Sequence, residues 1–356
     1  MNIHDFAEHK GCDLRQVMDF ASGANPLGPS NKAKHAVRKG IKHLSFPPDE
    51  DIRFLKRYIC RRERISDGNI IFVQDLPRIL HTLIHMASSK TVFASSPVSL
   101  AYKTVFNRYN VKIITLPVME EKDFSIDMDR LVGFIQNADM VVLANPHDIT
   151  GAEFPMESLV RIVEETDRQG KILVIDETYI EFTQSASLVR QIIESERAII
   201  FRTFSVFHAL SGLPVAYVMG SPGLISKISD ITLFPQVGAL AYAAALASLK
   251  DMGYRKRTQQ FIMEEKQFIM EKAKGISGLK VFDTPCNFLL LKIRRPVMDL
   301  EELLLKRNIL IDTYTNDEGS VYIRMPLKTH KFNARFIKSL RNIIDSQEQA
   351  GGEGLD

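Results

Sequence analysis

The side chains best placed to do chemistry fall in a few short phrases of the chain. His147 beside Asp148, and His208 one helical turn from Ser205, make an acid/base set if the loops that carry them converge on one cleft. Arg324, closing Val321-Tyr322-Ile323-Arg324, can pair bidentately with a carboxylate. Asp176 ends an apolar run, with Tyr179 shortly after it. His81 and His85 stand at the i, i+4 spacing that zinc ligands adopt on a helix. No glutamate follows His81 and no third ligand is apparent, so both read as ordinary helix residues. Asp75 precedes Pro77 and Arg78 at an expected helix start, where its carboxylate caps free amides and Pro77 removes one donor.

Elements of a definite kind must position these groups. Short β-branched runs at 69–73, 91–93, 112–114, 140–143, 172–175 and 198–201 alternate with amphipathic helical stretches. That rhythm predicts βα units and a mostly parallel sheet with both faces covered, ending near residue 220. A long helical stretch follows from about 239 to 273, interrupted around Gly253, and then strands at 279–282 and 287–291. The expectation is a large α/β domain over 46–254, a small α+β domain from 1–45 and 255–346, and a flexible glycine-containing tail at 347–356.

Composition narrows the class of partner. With 356 residues, 45% of them hydrophobic and 25% charged, the chain can bury one large core or two modest ones. The net charge of +3 is small and its cations are dispersed, which argues against a nucleic-acid partner. No run of eighteen apolar residues points to a membrane, and the first residues lack the basic and apolar regions of an export signal. Cys12, Cys60 and Cys286 lie far apart, without paired or metal-ligand spacing, so a reducing, cytoplasmic location is expected and no metal site.

Four phrases in order give a resemblance. They are Asn25-Pro26-Leu27-Gly28-Pro29, Asn145-Pro146-His147-Asp148-Ile149-Thr150-Gly151, Asp176-Glu177-Thr178-Tyr179-Ile180-Glu181-Phe182, and the segment from Arg202 through Ser205, Val206 and His208 to Leu213. Together they resemble the class I/II, fold-type-I pyridoxal-phosphate (PLP) aminotransferases. The similar branch holds histidinol-phosphate aminotransferase and threonine-phosphate decarboxylase, and Asp19-Phe20-Ala21-Ser22 draws the likeness toward the decarboxylase. The likeness spans essentially the whole chain. It implies a three-layer α/β large domain, a smaller α+β domain, a homodimer, and PLP as the family's cofactor.

The resemblance also assigns site residues, and there the chain departs from the pattern. The lysine that forms the cofactor's Schiff base falls at Val206, and no lysine lies between Lys171 and Lys227 to replace it. The glycine turn that cradles the phosphate is Gln74-Asp75-Leu76-Pro77, and the phosphate's arginine is Pro214, although Ser205 remains. Asp176 matches the partner of the ring nitrogen and Tyr179 that of the ring hydroxyl. Asp148 replaces the asparagine beside Tyr179, and Tyr102 completes the vestigial cofactor set. On the substrate side Arg324 matches the α-carboxylate arginine and Asn25 a substrate contact, with a surface salt bridge as the plain alternative for Arg324. Asp312 stands at a family arginine, and Phe46 replaces a tyrosine that reaches across the dimer.

Two readings follow. One is a degenerate relative without a catalytic residue at position 206, serving as a binding or partner subunit and holding at most a small carboxylate. The other is a working enzyme, either a PLP enzyme with a displaced lysine or a cofactor-free one, acting on an amino acid.

Overall fold

The computed structural model describes residues 3–46, 52–118, 120–122, 124–232, 237–294, 297, 299–315 and 320–352. It divides into a larger unit, 28–255, and a smaller unit built from 1–27 and 256–356. The larger unit therefore takes in residues 28–45, which the sequence reading had given to the small domain. The helix Asn31–Gly40 is the reason, because it packs on the helix Ala239–Leu249. Gly40 permits the close approach: a Cβ there would meet the Leu240 side chain at 2.8 Å.

The first strand, β1 (Met18–Phe20), belongs to the smaller unit. The next seven form the larger unit's sheet: β2 (Ile70–Val73), β3 (Thr91–Ser96), β4 (Lys112–Pro117), β5 (Met140–Ala144), β6 (Ile172–Asp176), β7 (Ala198–Thr203) and β8 (Ala216–Met219). Their order is β2-β8-β7-β6-β5-β3-β4, and only β8 runs against its neighbours. Alternate residues enter separate cores, so that Val141 and Leu143 pack on one face and Met140 and Val142 on the other. Leu55, Leu131, Leu159 and Ala244 bring helices to the first face, and Ile79, Tyr102, Phe106 and Ile228 bring helices to the second. Burial on both faces accounts for strands that read as continuous apolar runs rather than alternating ones.

The smaller unit adds β9 (Leu279–Phe282), β10 (Phe288–Ile293), β11 (Ile309–Thr315) and β12 (Val321–Pro326), in the order β1-β11-β12-β10-β9. β1 joins β11 in parallel, and the other pairs are antiparallel.

Two boundaries differ from the sequence reading. The break in the long helical stretch falls at Lys250 and Asp251, and Gly253 lies inside the second helix, Met252–Ala273. The last helix, His330–Gly352, continues into the segment expected to be a tail. A run of good helix formers, Gln347-Glu348-Gln349-Ala350, propagates a helix that is already nucleated. Residues 353–356 of that segment lie outside the described residues.

Candidate functional site

The parallel strands present the candidate residues of the larger unit at their carboxyl ends, where ligands of open α/β sheets bind. Asp176 is the last residue of β6, and the phrase starting at Asn145 follows β5, tied across by the Asn145 N–H donating to the Asp176 carbonyl at 2.9 Å. Tyr102 lies on the helix Leu100–Arg108 that follows β3.

Asp176 is buried, and donors within the chain engage both its oxygens. The Tyr102 hydroxyl donates to Oδ2 at 2.6 Å, and Thr178 donates to Oδ1 from its backbone N–H at 2.9 Å and from its hydroxyl. Burial pushes the Asp176 carboxyl up to about 6, against the pull of the Thr178 and Tyr102 hydrogen bonds, while the Asp148 charge adds to the rise. Burial also raises the Tyr102 phenol well above its ordinary value, reinforced by the charges of Asp176 and Asp148. The shared proton therefore stays on the phenol, and the pair is a neutral donor held on a carboxylate. Tyr179 is buried beside Phe182, and its charge interaction with Tyr102 places it in the same group. Tyr102 and Asp176 are thus joined directly, and the Asp148 charge acts on both of them.

The neighbouring phrases are held by their own backbone. Asp75 caps the helix Leu76–Met86, accepting from the Arg78 N–H at 3.0 Å, with Pro77 in the first turn. Ser205 and Val206 are both half-buried in the turn after β7. The Ser205 N–H donates to the Thr203 hydroxyl at 3.1 Å, and the Val206 carbonyl accepts from the Ala209 N–H at 3.3 Å.

The possible acid/base set is divided between separate networks. The His147 ring is buried and its Nδ1 accepts from the Thr150 N–H at 3.1 Å and the Ile149 N–H at 3.4 Å. Burial lowers its proton affinity in spite of Asp148 nearby, so it is a neutral ring closing its own loop. His208 instead meets Glu181, with Nε2 3.0 Å from Oε2. His81 stacks on Tyr109, the rings 4.7 Å apart, and His85 meets both of those rings edge-on. No group of three or more metal-type side chains occurs among the described residues.

One cluster escaped the sequence reading. Arg202, buried at the end of β7, donates from Nε to Glu177 Oε2 and from Nη1 to Glu63 Oε1, both at 2.8 Å. Arg62 donates to Glu181 at 3.1 Å and to the Tyr217 hydroxyl at 2.9 Å. Burial alone would raise the Glu181 carboxyl, but His208, Arg62 and Arg202 hold it well below the usual carboxylate range. Glu177 and Arg202 were in view as parts of motif phrases. Glu63, sitting in the charged run Arg61-Arg62-Glu63-Arg64, gave no signal of burial.

In the smaller unit, Arg324 is buried on β12, which removes the surface salt bridge as its explanation. Its Nη1 donates to the Ala21 carbonyl at 3.4 Å, its guanidinium carbon lies 4.8 Å from the Phe288 ring centre, and Asp312 is its partner across the β11–β12 ladder. Asn25 is buried and forms an Asx turn, accepting from the Leu27 N–H at 3.0 Å and donating to the Thr258 hydroxyl at 2.9 Å. Those bonds give Asn25 a structural role in opening the Pro26-Leu27-Gly28 turn.

Among solved structures the architecture matches fold-type-I PLP enzymes. The histidinol-phosphate aminotransferase of Sinorhizobium meliloti, solved in complex with pyridoxal-5'-phosphate, aligns with a TM-score of 0.88 at 21% identity, covering 98% of this chain and 95% of that one. The L-threonine-O-3-phosphate decarboxylase of Porphyromonas gingivalis aligns with a TM-score of 0.75 at 19% identity, covering 92% of this chain and 100% of that one. These define the class: an α/β fold of the PLP fold-type-I kind. By sequence, residues 15–340 match the model of aminotransferase class I and II, and the chain belongs to that family. A similar relative is the histidinol-phosphate aminotransferase of Methanosphaera stadtmanae, 28% identical over 357 residues, with 96% of this chain and 94% of the relative covered. No helix among the described residues is long and apolar enough to cross a membrane.

Proposed function

We propose that this chain is a family member that has given up imine chemistry at position 206 and works as a binding or partner subunit. The observation that carries the reading is the Tyr102 hydroxyl seated on Asp176 Oδ2 at 2.6 Å. In the family that carboxylate serves the ring nitrogen of PLP, and here a phenol of the chain itself fills the place. The other residues fit PLP no better. Val206 has no amine, Asp75 spends its carboxylate on the Arg78 amide at the helix start, Pro214 carries no charge, and Asp148 sets a second negative charge near Asp176. Ser205 alone keeps its family type in the phosphate cradle.

The assembly is a homodimer in the cytoplasm. Ile41, Leu44, Phe46 and Phe54 support this, since they lie 53–66% exposed in one stretch of the larger unit, more apolar surface than a lone protomer favours. The small-residue helix Ala239–Leu249 buries Ala241, Ala244 and Ala245 in its own unit, which takes those residues out of dimer packing. A small carboxylate is the ligand that Arg324 suits.

The test is a spectrophotometric titration of the purified protein with PLP at micromolar concentration, alongside a thermal-shift screen of small carboxylic acids. The expected result is no stoichiometric yellow complex, together with a rise in melting temperature for at least one carboxylate. A saturable absorbance at one cofactor per chain overturns the proposal.

A further inference from the structure

The amino ends of the larger unit's parallel strands border a polar cleft of about 520 Å³, at the opposite edge of the sheet from Asp176. Lys171 lines it just before β6, Arg197 just before β7, and Lys227 from the helix Pro222–Ile231, so three cations come from separate elements. Arg197 is seated on a turn. Gly170 holds the left-handed φ of +68°, and a Cβ there would meet Arg197 Nε at 3.8 Å and Cζ at 3.9 Å. No hydrogen bond or ion pair engages the side chain of Lys171, Arg197 or Lys227 among the described residues. Two carboxylates share the cleft. Asp139 is already engaged, its Oδ2 accepting from the N–H groups of Lys90 and Thr91 at 2.9 Å each, and Glu196 is exposed.

Helix ends do not account for the cations. The helices Leu76–Met86 and Met156–Arg168 both finish at this edge, where a positive charge would steady unsatisfied carbonyls. Each closes on its own backbone instead. The Ser89 N–H donates to the Ile84 carbonyl at 2.9 Å, the Lys171 N–H to the Thr166 carbonyl at 2.8 Å, and the Gly170 N–H to the Asp167 carbonyl at 3.0 Å.

We infer that this cleft binds the phosphate monoester of a small metabolite, with Arg197 taking phosphate oxygens and Lys171 and Lys227 supplying further charge. A guanidinium offers paired N–H donors that match a phosphate, and ammonium groups add point charges. Three cations set against the single free carboxylate of Glu196 leave an excess that suits a monoester, which carries about two negative charges near neutral pH. A dicarboxylate spreads the same charge over two separate groups, whereas cations converging on one cleft favour a dianion concentrated on one. The cleft is larger than a bare phosphate needs and falls within the range of small-ligand sites, about 300–1,000 Å³, so room remains for the organic part. This site does not rest on the reading of the Asp176 region, because Lys171 and Asp176 stand at opposite ends of β6.

The experiment titrates the full-length protein with glycerol 3-phosphate by isothermal titration calorimetry. At about pH 7.5 the ester is a dianion, and about 150 mM salt screens diffuse attraction. Inorganic phosphate and succinate are the comparison ligands. Saturable binding of one ester per chain is expected, tighter than that of either comparison ligand. Arg197→Gln should weaken it roughly tenfold or more, the loss of a charge-assisted hydrogen bond, and Lys227→Gln by a smaller factor. Both side chains are exposed, so without ligand the variants should melt with the wild type. The absence of saturable binding, inorganic phosphate or succinate binding as tightly as the ester, or ester binding unchanged in both variants would each overturn the proposal.

Discussion

Changing Val206 to Lys should not by itself restore tight PLP binding. The introduced amine could form the imine, but the phosphate anchors the cofactor, and its cradle is closed by the chain. Asp75 accepts from the Arg78 N–H at 3.0 Å, so an arriving phosphate must break that bond and meet a like charge. Pro77 offers no N–H in the first turn, and Pro214 supplies no guanidinium. Two missing charge-assisted hydrogen bonds at about 1.5–3 kcal/mol each amount to about 3–6 kcal/mol, or roughly two to four decades in affinity. Replacing Asp75→Gly and Pro214→Arg together with Val206→Lys should recover more than the single change, because the three positions serve one ligand and their effects should not add independently. The assay is titration with PLP, following imine absorption in the single and triple variants. A Val206→Lys protein that turns yellow with stoichiometric cofactor would refute the account of the phosphate cradle.

Three further outcomes follow from the same structure. Asp176 holds its proton more tightly folded, to about pH 6, than unfolded, near pH 4. Its contribution to stability is therefore greatest below about pH 4 and is lost as pH rises through 6, by roughly 3 kcal/mol. Thermal melts of wild type and Asp176→Asn across that range should show the decline only in the wild type, and parallel curves would contradict it. Arg202→Met should cost about 3–5 kcal/mol in urea unfolding, since it leaves the buried Glu177 carboxylate without a cation while Glu63 keeps Arg62, and a loss below about 1 kcal/mol would show the network to be hydrated. Light scattering at micromolar concentration should give twice the chain mass, with Phe46→Lys shifting the protein toward monomer, whereas a wild-type monomer removes the homodimer.

Much of this molecule was legible in one dimension because the relevant signals are local. β-branched runs separated by helical periodicity gave all six parallel strands of the larger sheet, since burial on both faces demands continuous apolar runs. The Asp75 cap was readable for a similar reason: a helix N-terminus is satisfied by a side chain two or three residues away. What the linear chain could not disclose is which distant partner a polar group would find. The Tyr102 hydroxyl meets Asp176 across 74 residues, Arg202 meets Glu63 across 139, and Lys328 meets Ser22 across 306. The Tyr102, Asp176 and Arg202 side chains are compatible with exposed positions by composition alone, and only packing removes the water that would otherwise solvate them. Thus the absence of a lysine at position 206 is a fact of sequence. That Asp176 is already engaged by a phenol was decided by the tertiary structure, because burial and long-range pairing set the strength and the protonation of such groups.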